Sequence, residues 1–136
     1  MPGRTFVDTD VLVYAVDSAD PRKRAAARSL LEEAAADLVI SAQVLSEFYV
    51  VVTRRLATPM SEEHAAAAVD ELASLPTVVI DAELVRDGIA IGREATLSFW
   101  DGLVVAAARA AGCDTVMTED LATRSTIAGV RIENPF

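Results

Sequence analysis

The sequence predicts an α/β fold in which a central, mostly parallel sheet of five strands is covered by helices. Short β-branched runs alternate with longer Ala- and Leu-rich segments of helical period, and neither a linker nor an internal repeat interrupts that alternation. A chain of 136 residues with 52% hydrophobic and 24% charged content has the size of one domain, so residues 1–136 are read as a single unit. At this length folding buries roughly two-thirds of the surface the unfolded chain exposes, enough for a core without disulfides or a structural metal.

The first strand is expected at Thr5 to Val7, with helical character from about Val11. Pro21 suits the first turn of a charged helix that runs to Ala36, and Leu38 to Ile40 reads as the second strand. Ala42 to Leu56 places Val44, Phe48, Val51 and Val52 on one helical stripe; Ser61 caps a further helix to Leu75 after the break at Pro59. A third strand covers Thr77 to Ile80, and Asp81 caps an amphipathic helix from Ala82 to about Glu94. From Phe99 to Ala111 the only charges are Asp101 and Arg109, so this helix is apolar almost all round and central, with Gly112 as its stop. A buried strand at Thr115 to Met117, a helical turn around Leu121 to Arg124 and a last strand at Val130 to Glu133 complete the pattern.

Composition narrows the function classes. The lone Cys113 makes no intrachain bridge, which excludes a disulfide scaffold and fits a reducing, cytoplasmic setting. No charge-free stretch reaches the eighteen or so residues of a membrane span, and the start lacks the apolar core of a signal peptide. With a net charge of −9, the surface repels a polyanion unless cations intervene.

In an open α/β sheet, ligands bind beyond the carboxyl ends of the strands. Asp8 and Asp10 follow the first strand, Asp81 the third, and Glu119 and Asp120 the fourth. Glu47 flanks an apolar helical stripe, and Asp101 shares a face with Val104, Val105 and Ala108. Buried carboxylates neutralise, pair or bind metal, and carboxylates converging on one crevice are relieved most simply by hard divalent cations, magnesium or manganese. Such a cation polarises a scissile phosphate and lowers the pKa of an attacking water, so a phosphodiester hydrolase of this kind needs no His or Cys nucleophile. The chain has only His64, in a surface-like segment, and Cys113.

Each acid also has a plainer reading. Asp8 and Asp10 suit a helix cap, Ser98 to Asp101 has the spacing of a capping box, Glu47 suits a solvated flank, and Glu119-Asp120 suits a turn; capping and metal binding do not exclude each other. Seven of the twelve basic residues, Arg4, Arg22, Lys23, Arg24, Arg28, Arg54 and Arg55, lie in the first 55 positions. They read either as a solvated helix face or as a strip that holds an RNA backbone. Phe99 and Trp100 read as core or interface packing, with base stacking as the alternative.

The segments FVDTDVLVYA, ISAQVLSEFYVVVTRR, LSFWDGLVVAAARAAGCDTVMTEDL and VRIENPF, in this order and spacing, resemble the PIN-domain ribonucleases and, within them, VapC-like toxins of bacterial toxin–antitoxin pairs. The resemblance implies a PIN-like three-layer α/β/α sandwich. It implies that Asp8, Glu47, Asp101 and Asp120 are the catalytic, metal-binding acids, with Asp10 in a supporting place where the family often has Asn. It further implies a magnesium- or manganese-dependent endoribonuclease, an RNA substrate, a cognate antitoxin, a homodimer and no membrane partner.

Three rivals are distinguishable on paper. Asp8-Thr-Asp10 resembles the nucleophile motif of haloacid-dehalogenase-like phosphatases, but Leu12 stands where that motif wants Thr and the only lysine, Lys23, lies far from the later acids in sequence. A receiver domain would want a lysine after the last strand and leaves Glu47 and Asp101 unexplained. A PIN fold that binds RNA or protein without cutting it has no need of the full acid set.

Overall fold

The computed structural model describes residues 3–121 and 123–136. Its elements, in chain order, are β1 (Arg4–Val7), α1 (Thr9–Val16), α2 (Pro21–Glu33), β2 (Leu38–Ser41), α3 (Ala42–Arg54) and α4 (Glu62–Leu72). They continue with β3 (Thr77–Val78), α5 (Ala82–Ala95), α6 (Phe99–Ala110), β4 (Cys113–Met117), β5 (Thr126–Ile127) and β6 (Val130–Glu133). The strands form one sheet in the order β3-β2-β1-β4-β6-β5. Every neighbouring pair is parallel except β5 with β6. The α/β reading and all five expected strands are therefore present, and β5 is a sixth.

That extra strand corrects the expected count. It pairs back onto β6 through a two-residue turn in which Ala128 and Gly129 both have positive φ, 51° and 83°. This is the geometry of a tight hairpin turn, which suits glycine and which alanine adopts only at some cost. The helical turn expected around Leu121 to Arg124 includes Ala122, which lies outside the described residues. Thr123 and Arg124 form a turn, and the Arg124 amide donates to the Ile132 carbonyl.

Helix starts at Asp8, Ser61, Asp81 and Ser98 follow the expected caps, and Asp20 and Ser41 add two more. Asp8, Asp20, Ser41, Ser61, Asp81 and Ser98 each accept a backbone N–H with the side chain, satisfying donors that the first turn leaves free. The interior is mostly apolar: Phe6, Val7, Val39 and Ile40 from the sheet meet Val44, Phe48 and Val52 of α3, and Leu103 to Ala108 bury nearly all of α6. With the right-handed crossovers that parallel strands require, this strand order puts α1 to α4 on one face and α5 and α6 on the other, giving three layers. Cys113 is buried at the start of β4, and burial pushes its thiol up to about 11, which leaves it unreactive.

Sheet order also fixes where a site belongs. From β1 the chain winds first toward β2 and β3, then returns through α5 and α6 to β4 on the other side of β1. The gap beyond the carboxyl ends of β1 and β4 is thus the point where winding reverses, and loops leaving it in opposite directions open a crevice there.

Candidate metal centre

Asp8 leaves β1 at that crevice. Its amide donates to the Met117 carbonyl at 3.0 Å, tying it to the end of β4, and its Oδ1 accepts the Thr9 amide at 2.7 Å as the cap of α1. Thr118, fully buried just beyond β4, donates its hydroxyl to Asp8 Oδ2 at 2.9 Å. The same hydroxyl lies 3.3 Å from Asp10 Oδ2, and its oxygen accepts the Asp120 amide at 3.1 Å. Asp10 Oδ2 also accepts the Glu119 amide at 2.9 Å, whereas Asp10 Oδ1 is buried with no hydrogen-bond partner.

One oxygen each from Asp8, Asp10 and Asp120 lies within 4.8 Å of the others. Burial first, and neighbouring carboxylates after it, raise all three. Burial, then the charge of Asp10, lifts Asp8 to about 7, with Glu47 adding to the effect. Burial lifts Asp10 to about 6 despite the Glu119 amide, and Asp120 contributes to the rise. Asp120 itself is raised by burial and then by Asp101, Glu119 and Glu47.

Glu47 and Asp101 therefore act on the same spot, from helices on opposite faces of the sheet. Glu47 is fixed by two donors: Thr9 Oγ1 reaches its Oε2 at 3.0 Å and Gln43 Nε2 its Oε1 at 2.9 Å. Gln43 Nε2 also lies 3.4 Å from the Trp100 carbonyl, so one amide links Glu47 to the first turn of α6, where Asp101 sits. Asp101 takes its place because Ser98 accepts its amide at 3.1 Å and starts the helix there; the capping spacing is real and leaves the carboxylate half-buried.

All four acids singled out in the sequence thus surround one crevice. Asp10, given a supporting place in the sequence reading, sits in the tight group with Asp8 and Asp120, while Glu47 and Asp101 stand around it. Glu119 is turned away: Lys23 Nζ reaches its Oε2 at 2.5 Å and the Tyr14 hydroxyl its Oε1 at 2.6 Å. Burial would raise Glu119, but those two bonds together hold its carboxyl below the usual range. Asp81 is an N-cap. His64 is exposed on α4, and Trp100 is 61% exposed rather than packed in the core.

Sequence reasoning missed Thr9, Gln43 and Thr118. Only Gln43, one helical turn before Glu47, left a signal, since side chains four residues apart share a helical face. Lys23, distant from the later acids in sequence, lies against Glu119, so its early position is no argument against a phosphatase.

A hard divalent cation fits this donor set. The available atoms are carboxylate oxygens, burial and neighbouring carboxylates raise their pKa values, and one of them, Asp10 Oδ1, is buried without a hydrogen-bond partner. Among the described residues, the two ion pairs, Lys23 with Glu119 and Arg131 with Glu133, leave the Asp8, Asp10 and Asp120 group without a protein cation.

The chain belongs to the PIN domain family, whose model matches residues 5–126. That membership sets the phosphatase and receiver readings aside. Among solved structures, a toxin–antitoxin complex from Klebsiella pneumoniae is 17% identical, with 97% of this chain and 98% of that chain covered and a TM-score of 0.74. DNA-bound VapBC from Salmonella typhimurium is 20% identical over 98% of this chain and 99% of that chain, with a TM-score of 0.71. VapC20 of Mycobacterium tuberculosis, a sarcin–ricin-loop-cleaving toxin, is 21% identical over 82% of this chain and 86% of that chain, with a TM-score of 0.65. No curated protein matches the sequence. No helix among the described residues is long and apolar enough to cross a membrane.

Proposed function

We propose that this PIN domain is a magnesium- or manganese-dependent endoribonuclease and the toxin of a toxin–antitoxin pair, acting in the cytoplasm. The observation that carries the reading is the convergence of Asp8, Asp10 and Asp120 within 4.8 Å, with a buried carboxylate oxygen that no protein donor satisfies. The structural relatives, which are toxins and toxin–antitoxin complexes, support the antitoxin partner. The homodimer that the resemblance implies belongs to the same reading and is checked by light scattering of the isolated chain.

In this proposal Asp8, Glu47, Asp101 and Asp120 hold the cation, joined by Asp10. Bound there, the cation supplies Lewis acidity toward a scissile phosphate and favours ionisation of an attacking water. The chain's own residues set the geometry. Thr9 and Gln43 orient both oxygens of Glu47, Thr118 and the α1 amide orient Asp8, and no side chain needs to act as a covalent nucleophile.

The test is incubation of mixed cellular RNA with purified protein freed of any partner. It is run with magnesium or manganese, with EDTA, and with Asp101→Asn. Discrete fragments that require metal and vanish in the variant support the proposal, because asparagine keeps the Ser98 cap and removes only the charge. Cleavage that survives both EDTA and the substitution sinks it.

A further inference from the structure

Lys23 is the only lysine in the sequence. It stands in the first turn of α2, behind the Asp20 cap, and its amide donates to that cap at 3.0 Å. Its side chain is only partly exposed, and the ammonium has named partners. Nζ lies 2.5 Å from Glu119 Oε2 and 3.3 Å from the Tyr14 hydroxyl, and sits 4.6 Å and 5.6 Å from the ring centroids of Tyr14 and Phe136. The two rings meet edge to face at 4.9 Å, so the cation has an aromatic wall on two sides and a carboxylate on a third. Tyr14 takes the other oxygen of Glu119.

Glu119 is therefore held by residues of α1 and α2, while its amide supports Asp10 at 2.9 Å on the other side of the backbone. One residue joins the aromatic cage to the acid group. We propose that Lys23 is a positioning residue for the metal centre: by anchoring Glu119 it fixes the turn from Thr118 to Asp120, aims Asp10 and Asp120 at Asp8, and keeps a further carboxylate out of the group. A cation suits this place because it meets a carboxylate and lies over two rings at once, and those contacts together fix where Glu119 can lie. The inference rests on the reading of Asp8, Asp10 and Asp120 as a cation site.

The test uses the whole chain and two readouts. In metal-free protein, amide hydrogen exchange is followed residue by residue in wild type, Lys23→Met and Lys23→Arg at a temperature where all three are folded. Manganese affinity of the same samples is then read from the spectrum of the free ion. The expected result for Lys23→Met is faster exchange at Glu119 and Asp120, with β4 amides unchanged. Its manganese affinity should be weaker by about tenfold, the usual scale for a group that orients metal ligands. Lys23→Arg, which keeps the charge, should restore most of both.

Unchanged exchange at Glu119 in Lys23→Met overturns the proposal. A uniform acceleration of all amides does so too, because it reports global destabilisation alone. If wild type takes up no manganese, the cation reading fails by itself, and the exchange data still decide whether Lys23 fixes the turn.

Discussion

Asp8 is opposed twice: the fold removes its carboxylate from water, and Asp10 sets a like charge beside it. A carboxyl raised from 3.8 to about 7 binds a proton in the folded chain that the unfolded chain has released. Its contribution to stability is therefore full at low pH and is lost as pH rises from about 4 through about 7. Asp10, raised to about 6, acts with the same sign, and Glu119, lowered by Lys23 and Tyr14, acts with the opposite one. Thermal melts in chelator between pH 5 and 8 (about the span of these titrations) should show the midpoint falling as pH rises. Asp8→Asn should flatten that slope and raise the midpoint at the alkaline end; a wild-type midpoint that does not fall would show that the carboxylates are not mutually strained. At this scale the acids themselves were legible, because each follows a strand or interrupts an apolar stripe. Their holders were not: Thr9 and Glu47 are 38 residues apart and Lys23 and Glu119 are 96, and no periodicity links positions that far apart.

Between elements, the closest approach sets where Asp101 stands. Gly88 and Gly92 of α5 face Gly102 of α6, and a Cβ on Gly102 would lie 2.4 Å from the Gly88 carbonyl oxygen and 2.9 Å from the Gly92 amide nitrogen. Both are backbone atoms of a helix, so the helices would have to separate. Gly102→Ala should cost about 1–3 kcal/mol, the range of overpacking, read from urea unfolding. Because Asp101 is the preceding residue, metal affinity should fall along with stability; an unchanged unfolding midpoint would mean that α5 yields without cost. Local chemistry made most elements readable, since six polar caps and the stop at Gly112, with φ of 72°, are sequence features. What was misjudged depends on partners. The third strand was expected to reach Ile80 but pairs only at Thr77 and Val78, because its neighbour β2 ends at Ser41, which turns to cap α3. β5 is only two residues long and owes its pairing to β6 and to a left-handed alanine, which composition does not announce.

A charge of −9 faces the whole molecule with a problem if RNA is its substrate. The basic residues of the first 55 positions offer less relief than their number suggests. Lys23 is committed to Glu119, Arg28 Nε donates to the Ala15 carbonyl, and Arg4 reaches the Ala111 carbonyl. Arg22 remains exposed on the first turn of α2. Around the Asp8, Asp10 and Asp120 group the field is negative, so a phosphate approaching it is repelled until a divalent cation reverses the local sign. Binding of RNA should accordingly depend on the cation itself and not on ionic strength alone. With a fully 2′-O-methylated RNA that resists cleavage, fluorescence anisotropy at matched ionic strength should give affinity at least about tenfold tighter in magnesium than in EDTA. The same substitution of EDTA for magnesium should matter little to Asp8→Asn, which removes a carboxylate from the proposed cation site. Equal affinity of wild type in both buffers would place the RNA on the exposed arginines and away from the acids, and the crevice would then have no part in holding the substrate.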